Sequence, residues 1–209
     1  MSSTIVTGEA RFSYVNIFEP VASKFNPDKK EYSIVLLIPK SDIATKQAID
    51  RAIQETVAEA ADKVFSGYTS NLNMPVHDGD GPMPQKGVPY PPECRGHWVM
   101  TAKTSAKNKP EVVDENCQPI LSATQVYSGC YGRVSIRFYA YNNGSRGIGC
   151  GLGNVQKLRD GEPLGGGTTA AEDFGAPVSA AAPAYPQTAP AYMQPAPAAP
   201  TGSYGFLGL

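Results

Sequence analysis

Tyr131-Gly132-Arg133-Val134-Ser135-Ile136-Arg137-Phe138-Tyr139-Ala140-Tyr141 separates into two faces when read with a period of two. Gly132, Val134, Ile136, Phe138 and Ala140 fall on one face, and Tyr131, Arg133, Ser135, Arg137, Tyr139 and Tyr141 on the other. The first is a core face. The second interleaves guanidinium groups with phenol rings, the complement of a line of phosphates beside unstacked bases. Tyr and Arg also fit an ordinary half-wet strand, so the alternation alone does not choose a ligand.

Outward from this run, Asn142-Asn143-Gly144 suits a hairpin turn, and a glycine-rich strand is expected from Arg146 to Val155. Gly147, Gly149, Gly151 and Gly153 alternate along it. Bare backbone on one face admits a nucleic-acid backbone, a neighbouring strand or a barrel corner. Towards the N-terminus, Arg11 to Phe18 reads as a strand ended by Glu19-Pro20, and Tyr32 to Ile38 as a strand buried on both faces. Lys24, Phe25, Lys29 and Lys30 fall in the loop between them. Ser41-Asp42 makes an N-cap and first turn. Ile49, Ile53, Val57, Ala60 and Val64 then recur at helical spacing, predicting one amphipathic helix over about 42–65.

Ser66 to Arg95 is rich in proline and glycine and reads as a long irregular flap, with Asp78 and Asp80 as turn residues. A strand resumes at His97 to Thr104, a turn with Lys107 and Lys109 follows, and Glu111 to Asp114 is a short return. Many short strands with one interrupting helix and no β–α alternation predict a mainly β chain. The expected architecture is an OB-like antiparallel barrel of five to six strands, with a β-sandwich as the fallback.

Charge is unevenly spread. All 18 Lys and Arg lie at or before Arg159, whereas residues 166–209 carry only Glu172 and Asp173. Residues 1–165 therefore net +1 (18 basic, 17 acidic), and any nucleic-acid surface must be a local stripe, not a bulk field. Beyond Gly165 the chain is Gly, Thr, Ala and Pro, with seven prolines between Pro177 and Pro200. Such a segment cannot bury enough to fold, so 1–165 is the expected domain and 166–209 a disordered tail.

No signal peptide or long apolar run is visible, and Cys94, Cys117, Cys130 and Cys150 form no close pair, which predicts a soluble protein with reduced thiols. Cys94 and His97 have half of a zinc spacing that His77 and Cys117 could complete, but no second half-motif accompanies it. The thiols read as small core hydrophobes, with no metal or other cofactor. Phosphate-binding, hydrolase and zinc-protease motifs are all missing. The alternating glycines do not open a helix. No enzyme is expected.

Gly129-Cys130-Tyr131-Gly132-Arg133-Val134, Phe138 to Gly144, Gly147 to Lys157 and Asp160-Gly161-Glu162-Pro163-Leu164-Gly165 together resemble a phage-encoded single-stranded-DNA-binding family. Arg11-Phe12-Ser13-Tyr14 and Tyr32 to Pro39 add to the likeness, which spans most of 5–165. The resemblance implies an OB core that coats single-stranded DNA during phage replication and recombination, in the cytoplasm of the bacterial host, away from membranes. Phosphate contacts then fall to Arg133, Arg137, Lys103, Lys107, Lys109, Lys29 and Lys30, and base stacking to Tyr131, Tyr139, Tyr141 and Trp98. A lone Trp is more often core than platform. The family's short acidic tip with a terminal aromatic, which docks replication and recombination proteins, survives here as Glu172-Asp173-Phe174, followed by 35 further residues. A homodimer is compatible with the sequence but not specified by it. The rival reading is a non-enzymatic structural or accessory β-barrel protein of a phage.

Overall fold

The structure, a computed structural model, describes residues 4–23, 26–84 and 86–165; the sequence-predicted tail, with Glu172, Asp173 and Phe174, lies outside them, as do Lys24 and Phe25. Alternating apolar positions build β2 (Ala10–Ala22), β3 (Lys30–Pro39), β5 (His97–Ser105), β7 (Tyr131–Asn143) and β8 (Ser145–Arg159). Their pairings run β2–β3–β5–β8–β7 and return from β7 to β2 through Ala10–Gly132 and Arg11–Tyr131. The ring closes. It is the five-stranded OB-like barrel, and one of its seams, β5 against β8 at Lys103–Gly151, is parallel rather than antiparallel.

Three short strands lie outside the ring. β1 (Ile5–Val6) pairs with β7, β4 (Val76–Asp78) with the start of β5, and β6 (Val112–Val113) runs parallel to β8. Inside, Phe12, Ile34, Leu36, Met100, Val134, Ile136 and Phe138 are fully buried. The one α-helix among the described residues, α1 (Ile43–Ala60), adds Ile49, Ile53 and Ala60 to that core. Its N-cap is Asp42, whose carboxylate accepts from the Thr45 N–H at 3.0 Å.

Four boundaries differ from expectation, each for a local reason. The helix ends at Ala60, not near 65, because the chain turns inward to bury Phe65 and then passes through left-handed Ser66 and Gly67. β2 runs through Pro20 to Ala22; the proline sits in the register shift between Asn16 and Val21, where its missing N–H costs no ladder bond. β8 extends past Val155 to Arg159, which pairs with Tyr131. The long loop is not free: β4 joins it to the barrel, and Lys40 Nζ bonds Asp80 at 2.6 Å and also pairs with Asp78. These contacts hold the Lys40 ammonium pKa above its usual value, hydrogen bonding to Asp78 first, and lower those of both carboxyls. Asp78 also accepts from the Asp80 N–H at 2.9 Å, the turn chemistry read in the sequence.

Two further features position the site. β2 bulges at Tyr14 (φ 47°) and Val15, which together oppose Ile34, since Ser13 pairs with Val35 and Asn16 with Ser33. A side chain in that left-handed region costs about 1–2 kcal/mol. At the other end of the body, the segment after β8 is strapped back: Arg11 donates to the Glu162 carbonyl at 2.7 Å, and the Leu164 N–H to the Ser128 carbonyl at 2.7 Å.

Loss of the α1 cap is a clean test of the local assignment. Asp42→Ala leaves the Thr45 N–H without its side-chain acceptor and should cost about 1 kcal/mol, which a thermal melt would register as a drop of about 2–4 °C.

Candidate nucleic-acid interface

The outer face of β7 and the glycines of β8 form one construction. Ile148, Cys150 and Leu152 point into the core, so the alternate glycines face out, with Gly147 opposite Tyr141, Gly149 opposite Tyr139 and Gly151 opposite Arg137. A methyl group on Gly149 would lie 2.4 Å from the Tyr139 ring, and one on Gly147 2.7 Å from the Tyr141 hydroxyl. The same addition at Gly151 would meet Arg137 Cγ at 3.0 Å, and at Gly153 the Ser135 Oγ at 2.4 Å. Among the alternatives the sequence left open, the bare backbone at Gly149, Gly151 and Gly153 is covered by side chains of the neighbouring strand, while Gly147 is also met by the Asn73 backbone, which bridges to it. The rings rest on β8, and Tyr139 keeps 47% of its surface exposed. Burial of the rest pushes the Tyr139 phenol pKa up, with smaller pushes from Cys150, Glu31 and Tyr141.

Basic groups gather around this face. Lys103 stands on the outer side of β5, level with Gly151, and bonds Glu31 at 2.6 Å. A groove of about 400 Å³ is lined by Arg137, Ser135, Asn154, Thr104, Asn108 and Lys109. Arg137 is exposed there and has no carboxylate partner among the described residues. The turn with Lys107 lies beside the β2–β3 hairpin, because the Ala106 N–H donates to the Lys30 carbonyl at 3.1 Å. That brings Lys29, Lys30, Lys107 and Lys109 to one end of the barrel.

The remaining sequence-predicted residues are placed differently. Arg133 is exposed but donates to the Gln156 side chain at 2.6 Å. Tyr131 carries the Arg159 guanidinium 3.6 Å from its ring centre and that of Arg11 at 5.8 Å, with Arg159 held bidentate by Glu9. Sequence reasoning missed Arg11 and Arg159 as partners of this row. Simple hairpin counting puts Lys157 opposite Tyr131, and two register shifts in the β7–β8 pair move Arg159 there instead. Trp98 faces the opposite side of β5 from Lys103. Its ring packs against the core and lies under Lys46 at 4.6 Å and Lys40 at 5.1 Å.

Among the described residues, no group of three or more His, Cys, Asp or Glu could hold a metal. The His97 ring donates to the Arg95 carbonyl at 2.6 Å, and His77 lies opposite Val99 in β4. Cys94, Cys130 and Cys150 are buried, and burial pushes the Cys94 thiol up to about 11 and that of Cys150 up to about 12. Cys117 is a correction to the core reading: it is exposed, in a left-handed turn (φ 60°).

The glycine floor makes a spectroscopic prediction. A raised phenol pKa means the folded state keeps a proton that the unfolded chain has released, so this contribution to stability is full below about pH 10 and fades as pH climbs through the folded value. Gly149→Ala should lift the Tyr139 ring off β8, expose it and move its titration back towards 10. Alkaline NMR titration of the tyrosine ring resonances checks this; an unmoved Tyr139 curve would mean that the floor does not set the ring.

Among solved structures, the chain is similar to the single-stranded-DNA-binding protein of bacteriophage Enc34 in complex with ssDNA, with 30% identity, a TM-score of 0.64, and 78% of this chain and 89% of that one covered. A C-terminal truncation of the same phage protein matches at 29% identity and TM-score 0.63, covering 77% and 88%. The single-stranded-DNA-binding protein gp2.5 of bacteriophage T7, at 18% identity and TM-score 0.57 over 83% of this chain and 94% of that one, shares the fold. A putative protein p50 of Acyrthosiphon pisum secondary endosymbiont phage 1 is 29% identical over 81% of this chain and 91% of its own length. The model of the Enterobacter phage Enc34 ssDNA-binding protein matches residues 3–183, and with the barrel and its aromatic, basic face it places this chain in that family.

Proposed function

We propose that the protein coats single-stranded DNA without catalysis, laying bases on the β7–β8 face and phosphates along Arg137 and the lysines at its rim. The observation that carries this reading is the juxtaposition of a half-exposed ring on a flat glycine floor (Tyr139 over Gly149) with the Arg137 guanidinium, which has no carboxylate partner among the described residues, at a groove that also holds Lys109. Stacking on an aromatic ring contributes about 1–3 kcal/mol per base and is indifferent to base identity. Phosphate contacts fix register and carry no sequence information. Binding is therefore nearly independent of sequence, with a mild pyrimidine bias.

Tyr139 and Arg137 carry the contact directly, with Tyr141 beside them. Lys103, Lys107, Lys109, Lys29 and Lys30 supply phosphate contacts at the rim. Tyr131 and Arg133 join through Arg159 and Gln156, and Trp98, on the other side of β5, serves the core and the α1 lysines. Replication and recombination of phage DNA in the host cytoplasm is the setting. Among the described residues no helix is long and apolar enough to cross a membrane. Residues 166–209 act as a tether in which Glu172-Asp173-Phe174 docks replication or recombination proteins. The compact unit Met1–Gly166 supports a boundary at the end of the Leu164 strap.

Anisotropy titrations of oligo-dT across a salt series test the reading. Arg137→Ala should weaken binding and lower the salt slope by about 0.7, one phosphate contact on a single strand. Tyr139→Ala should cost about 1–3 kcal/mol without lowering the melting temperature. A duplex competing as well as a single strand, or salt-insensitive binding of either, would return the protein to the class of phage structural barrels. Removing residues 166–209 should leave the barrel folded, raise DNA affinity at most several-fold and abolish pull-down of replication proteins.

A further inference from the structure

We infer that Tyr14 is a second stacking platform, taking a base of single-stranded DNA at the far end of a track that starts at Tyr139. This rests on the β7–β8 reading and extends it across the barrel. The outer faces of the strands align the track residue by residue: Arg137 lies opposite Gly151, Gly151 is level with Lys103, Lys103 is opposite Ser33, and Ser33 is opposite Asn16. Because the ring closes, these four strand-to-strand steps run about 19 Å around the barrel wall, not across one flat face, a path on which several nucleotides fit. Glu31, two residues along β3 from Ser33, is paired with Lys103.

Tyr14 ends the line in an unusual state. The residue is 68% exposed although it grows from within a barrel strand, and its backbone holds φ 47° at the bulge. Glycine would make the same bulge without strain. The bulge is braced from the track side, because the Asn16 amide donates both to the Tyr14 carbonyl at 3.3 Å and to Ser33 Oγ at 3.4 Å. An exposed ring held in a disfavoured conformation by neighbours on the same face is a poor device for folding and a good one for presenting a π-surface.

The test separates folding from binding, because the two respond to Tyr14→Gly with opposite signs. Full-length wild type, Tyr14→Gly, Tyr14→Phe and Arg137→Ala are compared by melting temperature and by titration with oligo-dT of about 16 nucleotides, the upper end of what an OB fold covers. Tyr14→Gly should melt at or above the wild-type temperature and bind about 5- to 150-fold more weakly, the range that one lost stacking contact implies. Tyr14→Phe should bind as wild type, since the ring and not the hydroxyl makes the contact. Should the flexible glycine loosen the barrel, Tyr14→Asn, which tolerates the same φ, serves as the ringless variant. Tyr14→Gly binding within twofold of wild type while Arg137→Ala is weakened would overturn the platform and leave the β7–β8 site standing. Unchanged binding in both would remove the site along with the platform.

Discussion

Everything on the outer face depends on how β7 lies against β8. The two strands pair from Asn143–Ser145 at the turn down to Tyr131–Arg159, the most extended pairing of the barrel even though it slips register twice. Because β8 offers glycine at each outward position facing Ser135, Arg137, Tyr139 and Tyr141, those side chains recline instead of standing upright. The same pair closes the ring, with β7 reaching β2 and β8 reaching β5. A single ladder thus sets both the barrel and the posture of its aromatic row.

Electrostatics are local for the same reason. Residues 1–165 net +1, so no long-range field gathers a polyanion. Several cations in the body are already engaged: Lys40 with Asp78 and Asp80, Lys46 with Asp50, Lys103 with Glu31, and Arg159 with Glu9. Ion pairs at or near the surface contribute little to stability, but they set how readily each charge turns from its partner to a ligand. Arg137, beside Tyr139, has no carboxylate partner among the described residues.

Much of this was legible in the sequence. The two faces of Tyr131–Tyr141 are strictly local and came through as β7, while the expected Asn142-Asn143-Gly144 turn tightened to Gly144 alone, with Asn142 and Asn143 paired to Arg146 and Ser145 inside the ladder. The Ile49–Ala60 spacing likewise located the one helix. Contacts between distant segments were not legible. Arg11 and Arg159 reach Tyr131 only because the barrel closes and the ladder slips register twice. The left-handed bulge at Tyr14 leaves no trace in a hydropathy pattern, since tyrosine is an ordinary strand residue. Exposure of Cys117, alone of the four cysteines, goes with the turn at Asp114–Gln118, where Asp114 accepts from the Gln118 N–H at 2.7 Å and Cys117 is left facing out.

That last arrangement has a use in chemistry. Thiolates, not thiols, react with electrophiles, and the thiols of Cys94, Cys130 and Cys150 are both enclosed and pushed to higher pKa by their surroundings. Cys117 alone is open to solvent, and it sits next to Gln156, the residue that holds Arg133. The wild-type protein thus carries a ready attachment point for a maleimide fluorophore beside its aromatic, basic row, and occupancy of that row becomes measurable in a chain with no engineered cysteine.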